Sequence, residues 1–131
     1  MADGFKIAAA HLAPCFMDPM ASARKAAEWI AKAGAQGVRL LVFPEVFLPG
    51  FPYWINLYPP LIQAPMNRRY QDASVEVGGP EIAIVREAAA AAGVAVVMGA
   101  SERATGGRTC YNSAIFIESD GRLLGVHRKL K

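Results

Sequence analysis

Cysteine and histidine are scarce in this chain, two of each, and the scarcity removes several kinds of chemistry at once. Cys15 and Cys110 form neither a disulfide framework nor a metal-ligand pattern, and His11 and His127 are the only imidazoles. No metal and no cofactor are expected. The glycines never fall into G-x-G-x-x-G or the P-loop spacing, which excludes the usual phosphate-cradling loops. Charge of one sign is not concentrated: 14 Lys and Arg against 11 Asp and Glu leave +3. The basic residues are scattered up to the final Arg128-Lys129-Leu130-Lys131, so nucleic acid is not an expected partner. No apolar run is long enough to span a membrane. The first residues lack the basic start and long apolar core of a secretory signal, so a cytoplasmic setting is the expectation.

What is present describes a globular α/β chain. Hydrophobic residues make up 53% and charged residues 19%. At 131 residues the chain fits one domain or part of a larger one, enough to bury roughly two-thirds of its unfolded surface. Phe5–Leu12 is mostly apolar and predicts a central first strand. Asp18-Pro19 then opens a helix, with Ala23, Ala26, Ala27, Ile30 and Ala33 on one face and Gly37 as the stop. Val38–Phe43 predicts a strand buried on both faces, which completes a parallel βαβ unit. Leu61–Val77 has no clean period and reads as a partly helical surface excursion or a subunit contact. Pro80 to Gly93 gives a second alanine-rich helix and Val94–Ala100 another buried strand, followed by a polar loop over Ser101–Arg108. Tyr111–Glu118 and Arg122–Leu130 form an antiparallel pair about Ser119-Asp120-Gly121, which makes the sheet mixed.

The sharpest chemical signal is the run from Val38 to Trp54. Pro44 ends the strand, and Glu45 follows at its carboxyl end among Val46, Phe47 and Leu48. Ligands in open α/β sheets bind at those strand ends, and a carboxylate there is costly to desolvate. Glu45 is therefore either a functional carboxylate or one that caps a nearby loop amide or pairs with an arginine. Tyr53, Trp54 and Tyr58 follow shortly and are candidates for a pocket wall. Lys129 is the second candidate: alternation puts it on one strand face with His127 and puts Arg128 on the other. A lysine beside a carboxylate would offer positive charge to a developing anion. A Cys–His nucleophile from Cys15 or Cys110 with His11 or His127 is a weaker candidate, since free cysteines are mostly buried and inert.

Phe43-Pro44-Glu45, the Phe47-Leu48-Pro49-Gly50-Phe51-Pro52-Tyr53-Trp54 run and His127-Arg128-Lys129-Leu130 together resemble the nitrilase (carbon–nitrogen hydrolase) superfamily, and in particular its true nitrilase branch. Tyr111-Asn112-Ser113 and the Asp120-Gly121 turn also fall where that family has them. The resemblance implies an α-β-β-α sandwich with a mixed, mostly buried sheet, of which residues 1–131 are the N-terminal part. It implies a Glu-Lys-Cys triad in which Glu45 is the general base and Lys129 stabilises the intermediate, with Phe51 at the substrate pocket. The substrate implied is a small-molecule nitrile, hydrolysed to a carboxylic acid and ammonia, in a homo-oligomer when full length. The family's nucleophilic cysteine lies beyond the lysine, and neither Cys15 nor Cys110 matches it. The chain alone is accordingly expected to be inactive and to expose an apolar sheet face. Two alternatives remain: an amidase or cyanide-degrading member of the same superfamily, and a non-catalytic fragment acting as an assembly partner.

Overall fold

Asp18 and Pro19 start the first helix as their residue types require: Asp18 Oδ1 accepts from the Ala21 N–H at 2.8 Å, and proline occupies a position where no backbone donor is needed. The computed structural model describes residues 4–130; the expectations for residues 1–3 and for Lys131 lie outside them. The elements are β1 (Lys6–Ala9), α1 (Pro19–Ala35), β2 (Val38–Val42), a 3-10 turn (Tyr53–Asn56), α2 (Pro60–Ala73), α3 (Pro80–Ala92), β3 (Ala95–Arg103), β4 (Cys110–Ile117) and β5 (Leu123–Arg128). The helices end where glycine was expected to end them, with Gly37 and Gly93 at φ 74° and 65°. Among the described residues no helix is long and apolar enough to cross a membrane.

The sheet order is β1-β2-β3-β4-β5, parallel through β3 and antiparallel thereafter, so the mixed sheet is as expected. β1, β2, β3 and β5 point their carboxyl ends the same way. β3 is the long central strand: β2 flanks its start, then Leu48 and Val75 bridge to Ala100 and Glu102 farther along.

Three expectations are corrected. β1 is an edge strand rather than a central one, and three of its four residues are exposed. Val38–Phe43 is not buried on both faces, since Arg39 and Val42 are exposed while Leu41 and Phe43 are covered. Ser101–Arg103 belongs to β3 rather than to a loop, because buried Ser101 and Glu102 find partners in Ser74 and in Arg128 with Ser113. The first two share one cause. Helices α1 and α3 cover a single face of the sheet, where Ala26, Ile30, Ile82 and Val85 close over Leu41, Val96, Met98 and Ile115. The other face carries the cross-strand row Ile7–Leu40 and Val42–Val97–Phe116, and among the described residues no helix packs over it. Ile7 is 64% exposed, and Val42 and Phe116 are each 38% exposed. A contiguous apolar face of this kind drives association. The chain is expected to self-associate with rising concentration in sedimentation velocity, and Phe116→Lys to shift it toward monomer. A concentration-independent monomer for the unsubstituted chain would contradict this.

Candidate active site

Proline at 44 ends β2 and sends the backbone into a turn in which Val46, a buried β-branched residue, sits at φ 44°. That conformation is strained for valine and is held by the Gly50 N–H donating to the Val46 carbonyl at 2.8 Å. The turn sets Glu45 above the carboxyl end of the sheet. Lys129, just past β5, donates from Nζ to Glu45 Oε1 at 2.8 Å. Asn112, on β4, donates from Nδ2 to the same oxygen at 2.6 Å. The two residues are also joined through the backbone, the Lys129 N–H donating to the Asn112 carbonyl at 2.8 Å.

The Lys129 ammonium, and after it the Asn112 amide, hold the Glu45 carboxyl below the usual glutamate range. Glu45 is an anion at neutral pH whose Oε1 is occupied by two donors, and among the described residues no side chain donates to Oε2. The pair is not sealed: the side chains are 47% and 65% exposed, so solvent screens their attraction.

Glu45 and Lys129 open onto a cavity of about 440 Å³ whose wall includes Phe51, Tyr70, Cys110 and Asn112. Phe51 stands on this wall beside Glu45. It also lines an adjoining apolar depression with Phe16, Phe47 and Tyr53. His127 and Lys129 line a third depression together, and Arg128 turns away to the helix side, as strand alternation required. The cysteines do not form the Cys–His pairs considered above: Cys15 hydrogen-bonds through its backbone to Ser22, and Cys110 Sγ faces the Arg108 carbonyl at 3.7 Å. Among the described residues no group of three or more His, Cys, Asp or Glu could hold a metal ion.

Two residues of the site were not singled out from the sequence. Asn112 was noted only as part of a Tyr-Asn-Ser run; a polar side chain in an otherwise apolar strand was the available signal. Tyr70 comes from α2, in the segment that had no readable period. Its phenol is pushed up to about 12, chiefly by burial, so it stays neutral and can donate into the cavity.

Beneath the site, Glu102 is 5% exposed. Arg128 Nη2 and Nε donate to its two oxygens at 2.6 and 3.0 Å, and the Ser113 hydroxyl donates to Oε2 at 2.7 Å. The Arg128 guanidinium, with Ser113 adding to it, holds the Glu102 carboxyl below its ordinary value. A carboxyl lowered by folding stabilises above its unfolded pKa, and the contribution is lost as pH falls through the folded one. Urea unfolding at a series of pH values below about 4.5 should therefore show an acid loss of stability that Glu102→Gln flattens. Glu45→Gln, at the exposed pair, should flatten it far less. Equal flattening by the two would contradict this ordering.

A carboxylate, a lysine and an amide thus converge at one end of a mixed sheet, and comparison with known proteins specifies the family. The sequence matches the carbon-nitrogen hydrolase family over residues 6–131, and the chain belongs to that family. It is 39% identical over 127 residues to a bromoxynil-specific nitrilase of Klebsiella pneumoniae subsp. ozaenae, covering 97% of this chain and 36% of that protein. It is 35% identical over 129 residues to a cyanide hydratase of Armillaria gallica, covering 97% and 35%. The fold matches a CN-hydrolase superfamily protein of Xanthomonas campestris with a TM-score of 0.73 at 20% identity, over 97% of this chain and 41% of that one. The chain thus spans about a third of the length of the curated relatives it matches.

Proposed function

We propose that this chain supplies the base and the cation of a nitrile-hydrolysing site, with Glu45 as general base and Lys129 as the group that stabilises the tetrahedral intermediate. The observation that carries the reading is the convergence of Lys129 and Asn112 on one oxygen of Glu45 at the mouth of a partly aromatic cavity. The nucleophile is a cysteine thiol contributed from outside this chain. Glu45 Oε2 takes the thiol proton, the thiolate adds to the nitrile carbon, and the nitrogen is protonated, giving a thioimidate. One water adds and ammonia leaves, forming an acyl-enzyme; a second water releases the carboxylic acid and restores the thiol. Lys129 offsets the charge that develops at the reacting centre in each addition.

The test extends the chain to the length of its relatives and supplies nitriles, amides and cyanide side by side, with ammonia, acid and amide measured. Acid and ammonia from nitriles support the reading. Turnover confined to amides or to cyanide would replace it with the amidase or cyanide-acting alternative. The 131-residue chain alone should release no ammonia above a Glu45→Ala control. No turnover by the extended chain would leave the assembly-partner reading, which the uncovered sheet face favours.

A further inference from the structure

We infer that the Glu102–Arg128 ion pair is a positioning device for the Glu45–Lys129 site, acting through the backbone of β4 and β5 from the opposite face of the sheet. The inference rests on the reading of Glu45 and Lys129 given above. Arg128 is the last residue of β5, an edge strand, and strand ends at an edge fray readily. Its guanidinium is held by both Glu102 oxygens and lies 3.8 Å from the Tyr111 ring centroid. Ser113, which binds the same carboxylate, is the register partner of Arg128, and Tyr111 is the partner of Glu102.

The four residues of this clamp therefore bracket the site: Tyr111 and Ser113 flank Asn112, and Arg128 precedes Lys129. Successive strand residues point to opposite faces. Anchoring Tyr111, Ser113 and Arg128 below the sheet fixes Asn112 and Lys129 above it, the two donors that share Glu45 Oε1. Neutralising a buried Glu102 would need only a cation. A bidentate guanidinium stacked on a ring also fixes the angle and height of the strand that bears it.

The experiment follows the Glu45 carboxyl through its titration by carbon-13 NMR in this chain, with Arg128→Lys and with the paired Glu102→Leu/Arg128→Met change. The paired change replaces the buried ions by apolar side chains and protects the fold. Glu45 is expected below the ordinary glutamate range in the unsubstituted chain and to rise toward it in both variants. It should stay low in Glu76→Gln, which removes only the surface pair with Arg103. In the chain extended to the length of its relatives, the same variants should lower kcat on the order of 10²-fold with KM within about twofold, the pattern of misplaced rather than missing groups. A Glu45 titration that is not low at the outset, or stays low in either folded variant, overturns the inference. An extended chain inert toward nitriles would sink the nitrile-hydrolysing reading alone, since the titration still decides the clamp.

Discussion

Glu45→Gln, in the chain extended to the length of its relatives, is expected to lower kcat by about 10²–10⁴-fold while KM changes little, because proton transfer supplies that much of the rate. Glutamine keeps the volume of the side chain but loses the anionic oxygen that accepts a proton. Its amide can offer only one acceptor oxygen, and Lys129 Nζ and Asn112 Nδ2 already converge on that position. The amide nitrogen is then turned to the place of Oε2, so a donor stands where the base was. Stability should scarcely change, since the Glu45 side chain is 47% exposed and its ion pair is solvent-screened. The unsubstituted enzyme should lose kcat/KM on the acid side as Glu45 takes up a proton, and that limb should be absent from the residual activity of the variant. Retention of more than about a tenth of kcat would remove Glu45 from the role of base, since even the low end of the range is larger.

Much of the site was legible because its signals are local. Pro44 must end β2, which leaves Glu45 at a strand end, and the period of two sends Lys129 and His127 one way and Arg128 the other. Helices α1 and α3 were equally plain, bounded by Asp18-Pro19, Gly37, Pro80 and Gly93. What was not legible depends on register and on which face is covered. Val42 and Val97 are as apolar as Leu41 and Val96, so composition could not show that helices bury one set and, among the described residues, leave the other partly open. The same ambiguity made β1 read as central. Helix α2 hid for a different reason: Pro65 lies inside it, and Leu61 and Ile62 face outward, at 94% and 59% exposure, so no buried stripe marks its period. Tyr70 was lost with it. Ser101 and Glu102 read as loop because buried polar residues are intelligible only with their partners, and Ser74, Ser113 and Arg128 are distant in sequence.

Gly99→Ala is expected to disable the site without touching any of its side chains. A Cβ at this position would stand 2.0 Å from the Pro44 carbonyl oxygen, 2.9 Å from its carbon and 3.0 Å from Glu45 Cα, all backbone atoms that no rotamer change can move aside. Strand β3 has little freedom to yield: Met98 and Ala100, on either side, are fully buried against the helices, and the Gly99 carbonyl accepts from the Leu48 N–H at 3.2 Å. The Pro44–Glu45 segment must therefore rise, and Val46, already at φ 44°, offers no relaxed conformation to absorb the shift. Overpacking of this kind costs about 1–3 kcal/mol of stability. A displacement of Glu45 of about 1 Å from Lys129 and Asn112 costs on the order of 10²-fold in kcat in the extended enzyme. In the chain alone the same shift should appear as a Glu45 carboxyl that titrates higher than before. Gly125→Ala is the control, since Gly125 lies opposite Phe116 on the same uncovered face and an added Cβ there meets nothing within 4 Å. Its unfolding midpoint and Glu45 titration should match those of the unsubstituted chain. If Gly99→Ala matches them as well, the close approach of β3 to Glu45 is not what sets the carboxylate in place.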